Sequence, residues 1–177
     1  MAKKLGAKVI ALVGTPSKAE QLRRHIDVDL VIATDGNDNW PQQILDFTNG
    51  RGLDVVLDNT GVVNKALKVI ADFGRIVLLG FVAREGVMEE VAMHKLLLKS
   101  LQVTGYDYWK SGKRDPQELQ RIWDGYVDMI RCGLRPVLSG RYEGLDDISR
   151  AMRDLKDRNV VGKIVVKIAD EKETAKL

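Results

Sequence analysis

Short apolar runs alternate along this chain with stretches in which apolar residues recur three or four positions apart. Lys8–Val13, Asp29–Ala33, Asp54–Leu57, Arg75–Leu79 and Leu101–Tyr106 are runs rich in Val, Ile and Leu, and they predict strands. Between them, Ser17–Arg24, Trp40–Thr48, Val63–Asp72 and Met93–Lys99 carry helical spacing. Pro41 suits the first turn of its helix, and Phe73-Gly74 ends the next one. Met1–Leu5 reads as the last turns of a helix closed by Gly6. Pro116–Arg131 predicts the longest helix, opened by Asp115 and stopped at Gly133. A polar loop is expected at Lys110–Asp115. An extended piece at Leu138–Tyr142, a helix over Asp146–Lys156 and a final strand at Lys163–Ile168 complete the order. Strand and helix alternating in this way predict an α/β fold with a doubly wound parallel sheet.

The stretch Leu53–Gly61 organises the rest. Val55-Val56-Leu57 is apolar on consecutive positions, so this strand is expected to be covered on both faces. It turns polar abruptly at Asp58-Asn59-Thr60-Gly61. Ligands of open α/β sheets sit beyond the carboxyl ends of the strands, which makes this end a candidate site. Asn59 or Thr60 could equally serve as the cap of the following helix.

The composition narrows the possibilities. With 177 residues, 45% hydrophobic and 30% charged, the chain suits one globular domain. A formal charge of +3, with basic and acidic residues interspersed, does not suggest nucleic acid as a partner. No apolar run is long enough to span a bilayer, so no membrane association is expected. One cysteine permits no internal disulfide, and one Cys with two His cannot build a Cys/His zinc cluster, so no metal is assigned. A reducing, cytoplasmic setting is the default for such a chain. The charged stretch Asp170–Leu177 reads as a frayed tail, leaving 1–169 as the domain.

Several strand ends could carry chemistry. In dinucleotide-binding folds an acid beside the adenosine ribose bonds the hydroxyls of NAD, whereas a 2′-phosphate wants hydroxyls and positive charge. No acid stands between Val9 and Lys18; Gly14, Thr15, Ser17 and Lys18 stand there instead. An ordinary capped helix with Lys18 in solvent is the competing explanation. The missing acid also counts against other doubly wound classes such as methyltransferases. Gly80, after Leu79, would let a flat ring approach the backbone, or simply make a turn. Tyr106, Tyr108 and Trp109 could line a pocket or belong to core or interface. Cys132, His25 and His94 are isolated, and no nucleophile triad, carboxylate pair or phosphate-binding Walker loop is present.

Taken together, these residues resemble a known family. Ala2–Gly6 with Ala7-Lys8-Val9-Ile10-Ala11, then Gly14-Thr15 and Lys18, is similar to the cofactor domain of medium-chain dehydrogenase/reductases. So are Gly52–Asp58 with Asn59-Thr60-Gly61, Phe73–Val77, Leu96–Leu101 with Val103, and Asn159–Val166. The branch most resembled is the zinc-independent NADPH:quinone oxidoreductases and their enone reductase relatives. The resemblance implies a Rossmann-type sheet and NADPH as cofactor. Hydride would pass to a small quinone or α,β-unsaturated carbonyl. It implies that Lys18 and Thr15, beside Gly14, hold the 2′-phosphate, with Thr34 near the adenosine phosphate. Asn59 would lie against the ribose or pyrophosphate. Gly80, Phe81 and Val82 would contact the nicotinamide, Tyr106 would line the same cleft, and Asn159 would bond near the nicotinamide end. The resemblance implies a homodimer through the edge strand near Leu101–Tyr106.

The family also has parts that this sequence does not contain. These are a separate substrate domain, the first cofactor-domain strand and its glycine-rich loop. That strand would be the central one, between the strand at Val9 and the strand at Asp54. The cofactor domain is therefore expected to be partial, with weak NADPH binding. The alternative is a non-enzymatic remnant acting as a dimerisation or binding module.

Overall fold

The computed structural model describes residues 1–82, 89–157 and 159–168. The tail 170–177 lies outside these residues. The expected α/β architecture with parallel sheets is present. Every ladder among the described residues is parallel, and the strands form three sheets, β1-β2, β3-β4-β5 and β6-β7. The chain divides into two compact units, Met1–Asp35 with Met129–Leu177, and Gly36–Asp128.

In the first unit, a 3-10 turn Ala2–Leu5 ends at Gly6 in the left-handed region, at φ 83°. β1 (Ile10–Val13) and β2 (Leu30–Ala33) pair from Ile10↔Leu30 to Val13↔Ala33. Between them runs α1 (Pro16–His25), which packs on β2 through buried Ala19, Val31 and Ile32. Arg23 reinforces this packing by donating to the Val31 carbonyl at 2.8 Å. Asp29 ties the entry of β1, accepting from the Val9 N–H at 2.6 Å and from the Lys3 ammonium at 2.8 Å. The later part of this unit holds β6 (Tyr142–Glu143), α7 (Ile148–Lys156) and β7 (Val166–Lys167). Here the expected extended piece at Leu138–Tyr142 and the expected strand at Lys163–Ile168 meet only in a two-residue ladder, β6 with β7, and a single bridge, Leu138↔Lys163.

In the second unit, α2 (Trp40–Phe47) leads to β3 (Leu53–Asp58). α3 (Val63–Ala66), β4 (Ile70–Leu78), α4 (His94–Leu98) and β5 (Gln102–Gly105) follow. The core comprises Val63, Ala66, Leu67, Ile70 and Ile76, with Leu53, Val56, Leu78, Val91, Leu96 and Leu101 packed against it.

Three expectations are corrected here. The helix expected over Val63–Asp72 stops after one turn, because Ile70 pairs with Leu53 and begins β4 instead. The Leu53 N–H donates to the Val69 carbonyl at 2.8 Å, so the chain is drawn into the sheet. Gly52 permits that approach: at φ +88° a Cβ there would stand 2.6 Å from the Val69 oxygen. Secondly, β3 is covered on one face only. Val56 faces the core, whereas Val55 is 49% and Leu57 66% exposed. Thirdly, the expected loop at Lys110–Asp115 is mostly helix, α5 (Tyr108–Arg114). The Asp107 carboxylate caps it by accepting from the Lys110 N–H at 3.0 Å. Gly112 seats it tightly, since a Cβ there would run into the Leu119 side chain at 2.2 Å. Leu119 belongs to α6 (Pro116–Arg131), which matches its expected bounds.

Candidate functional site

The candidate residues fall into two groups, each at the carboxyl end of parallel strands. In the first unit, β1 leaves the sheet at Gly14 and Thr15 becomes the cap of α1. Its Oγ1 accepts from the Lys18 N–H at 3.3 Å. An accepting hydroxyl still has its own proton to donate. Lys18 stands in the first turn of α1 and makes no ion pair with another described residue. Thr34 is stapled to the same turn. Its N–H donates to the Val13 carbonyl at 2.8 Å and the Gly14 carbonyl at 3.1 Å, and its hydroxyl donates to Val13 at 3.2 Å. Gly14, Thr15, Lys18 and Thr34 therefore form one cluster. Asn159 follows α7 on the surface of the same unit, and its N–H donates to the Asp154 carbonyl at 3.0 Å. No described hydrogen bond joins it to that cluster.

In the second unit the ends of β3 and β4 are clasped together. The Leu79 N–H donates to the Asp58 carbonyl at 2.7 Å, and the Val82 N–H to the Asn59 carbonyl at 3.3 Å. A Cβ on Gly80 would stand 3.2 Å from that Asn59 oxygen, so the backbones are as close as only glycine allows without displacement. Tyr106 follows β5 and donates its N–H to the Leu78 carbonyl at 2.9 Å. Its hydroxyl faces the Glu118 carboxylate of α6 at 3.4 Å. Asn59, Gly80 and Val82 thus meet at one strand end, with Tyr106 on the neighbouring strand. Asn59, Phe81 and Val82 are exposed there.

Neither Asn59 nor Thr60 caps the turn after β3. Asp58, only 5% exposed, closes it. Its carboxylate accepts from the Thr60 N–H and hydroxyl, both at 2.8 Å, from Gly61 N–H at 2.9 Å and from Val62 N–H at 2.8 Å. Burial pushes this carboxyl up. The Thr60 hydroxyl and the N–H groups of Thr60, Val62 and Gly61 outweigh it and hold the acid below its ordinary 3.8. The N–H groups that a free anion would want at this turn are thereby taken by an internal one. An acid followed two and three residues on by backbone donors is an Asx-turn pattern, the signal that could have identified this role.

The second residue that sequence reasoning missed is Asp35. It comes from the end of β2, yet its N–H donates to the Gly14 carbonyl at 2.9 Å. A Cβ on Gly14 would lie 3.4 and 3.6 Å from its two carboxylate oxygens. The acid absent from the β1 turn in sequence is supplied by the neighbouring strand.

Residues 1–124 match the family model described as "Zinc-binding dehydrogenase", and the chain belongs to this family, the medium-chain dehydrogenase/reductases. The chain is 29% identical over 175 residues to the highly reducing polyketide synthase fogA of Aspergillus ruber, covering 95% of this chain and 7% of that one. It is 28% identical over 170 residues to acryloyl-coenzyme A reductase of Sulfurisphaera tokodaii, covering 94% of this chain and 45% of the relative. Among solved structures, the quinone oxidoreductase of Pseudomonas syringae pv. Tomato DC3000 superposes with a TM-score of 0.74 at 27% identity, over 94% of this chain and 50% of that one. The chain therefore spans half or less of the length of these relatives. The family consists of oxidoreductases that use a nicotinamide cofactor.

Zinc, which the family description names, is not supported by the donor set. Among the described residues no group of three or more His, Cys, Asp or Glu could hold a metal ion, and Cys132 is exposed. The nicotinamide cofactor fits better. The β1 turn offers a hydroxyl and an ammonium without an ion-pair partner among the described residues, and at the β3–β4 end Asn59 is exposed with its backbone against Gly80. No helix among the described residues is long and apolar enough to cross a membrane.

Proposed function

We propose that this chain is the NADPH-binding part of a zinc-independent oxidoreductase that reduces an α,β-unsaturated carbonyl or a quinone. The observation that carries the proposal is the β1 turn. There the Thr15 hydroxyl is fixed by its capping bond and Lys18 brings a cation without an ionic partner among the described residues. That pair suits the 2′-phosphate, with Thr34 placed against the same turn. Asn59 would bond the cofactor's ribose side, and Gly80 to Val82 would lie along the nicotinamide. The bound nicotinamide supplies the hydride. The protein's part is to hold it still and exclude water. Here the Asp58 clasp is the rigid element, because it fixes both Asn59 and the strand that ends before Gly80. Tyr106 would line the cleft, its hydroxyl oriented by Glu118.

Enone reduction is favoured by the acryloyl-coenzyme A reductase and the highly reducing polyketide synthase among the relatives. Quinone reduction is favoured by the Pseudomonas structure. Turnover of NADPH with crotonyl-coenzyme A and with a simple quinone separates the two. Binding of NADPH without turnover of either would leave a binding module. A homodimer belongs to the same proposal, through β5, whose residues Gln102–Gly105 are all exposed at the edge of their sheet. Sedimentation equilibrium should then give twice the mass of one 19.8 kDa chain. A cytoplasmic setting completes the reading.

A further inference from the structure

Two charges of opposite sign reach the turn after β1 from different elements. Lys18 comes from the first turn of α1, three residues beyond the capping Thr15. Asp35 comes from just beyond β2 and lies over Gly14, where a Cβ would stand 3.4 Å from one carboxylate oxygen and 3.6 Å from the other. The backbone bond from the Asp35 N–H to the Gly14 carbonyl, 2.9 Å, holds it in register. Asp35 is exposed, and its carboxylate makes no ion pair with another described residue, so nothing described neutralises it. It is therefore not a structural staple through its side chain. It is a negative charge over Gly14, the residue before the capping Thr15.

We propose that Asp35 is a specificity-determining residue that opposes Lys18. Its carboxylate accepts from the adenosine ribose hydroxyls and repels a 2′-phosphate, so the chain favours the phosphorylated cofactor by less than Lys18 alone would set. The inference rests on the reading of the β1 turn as the adenosine end of the cofactor site. The chemistry is simple. A carboxylate is only an acceptor, which suits hydroxyl donors and not a phosphate dianion. The like-charge penalty acts over a few ångströms at a solvent-exposed turn, where it is worth roughly a factor of ten in affinity. Because the Asp35 carboxylate is exposed, the effect shrinks as salt is raised.

The test uses two probes that differ by the one phosphate, adenosine 2′,5′-bisphosphate and adenosine 5′-monophosphate. Each is titrated at low salt into the full chain, as wild type, Asp35→Asn and Lys18→Gln, and followed through the amide resonances of Gly14 to Lys18. Asp35→Asn should tighten the bisphosphate about tenfold and leave the monophosphate unchanged or slightly weaker, with the difference falling in high salt. Asparagine keeps the size and the backbone bond, and unchanged resonances elsewhere will show an intact fold. Should Asp35→Asn change both probes by the same factor, or neither, while Lys18→Gln still weakens only the bisphosphate, the inference is overturned and the cofactor reading stands. If neither probe perturbs Gly14 to Lys18 in any variant, the reading itself falls and the inference with it.

Discussion

The turn after β3 and the turn after β1 occupy equivalent places, each leading from the carboxyl end of a parallel strand into a helix. After β3, a buried carboxylate gathers three backbone N–H groups and a hydroxyl, so the turn is complete without a ligand. After β1, a single hydroxyl accepts one N–H at 3.3 Å, the half-buried Lys18 follows in the first helical turn, and the exposed Asp35 carboxylate lies over Gly14. A strand end built for rigidity satisfies its own donors, whereas one suited to an anion leaves charge and hydroxyl protons available. The turn after β3 therefore holds the neighbouring Asn59 and Gly80 in place, and the turn after β1 is the one proposed to recognise the cofactor.

The largest effect that would sharpen this contrast is Asp58→Ala. It strands the buried Gly61 N–H and its neighbours, and should cost about 3 kcal/mol in urea denaturation. A cost under about 1 kcal/mol would mean the clasp is not the rigid element. Acid should loosen the same turn. The folded carboxyl of Asp58 titrates below the 3.8 of the unfolded chain. Its contribution is thus fully present above that value and is lost as pH falls through the folded one. The fall of melting temperature below pH 4 should accordingly be shallower in Asp58→Asn than in wild type. Thr15→Ala, by contrast, removes one exposed cap and should cost about 1 kcal/mol. Smallest of all, Lys18→Gln should alter stability by less than about 0.5 kcal/mol, because no described partner is lost with its charge. A Lys18 variant that unfolds the chain would break the distinction between the two turns.

Much of the fold was legible because its signals are local. Thr15-Pro16 announces the start of α1, Asp115-Pro116 that of α6, and the run at Val55 a strand. Val63–Asp72 misled because Val63, Ala66, Leu67 and Ile70 have helical spacing, yet Ile70 is claimed by a strand partner seventeen residues upstream, Leu53. The exposure of Val55 and Leu57 was equally invisible, since coverage of a sheet face is a tertiary property that a consecutive apolar run does not encode. At the candidate site, Thr15 and Lys18 could be read because a cap and its helix are neighbours in sequence. Asp35 could not, because only the parallel pairing Val13↔Ala33 carries it to Gly14. The Asp58 turn lies between: its residues stand out in the sequence, but a cap is weighed only at Asn59 or Thr60, and the acid before them is the stronger acceptor.

The most direct test compares the dissociation constants of NADPH and NADH for the wild-type chain and for Lys18→Glu, measured by nicotinamide fluorescence. Recognition of a 2′-phosphate at the β1 turn predicts that the substitution weakens NADPH by at least about tenfold and NADH by less than about twofold. Equal weakening of both cofactors, or of neither, would contradict it.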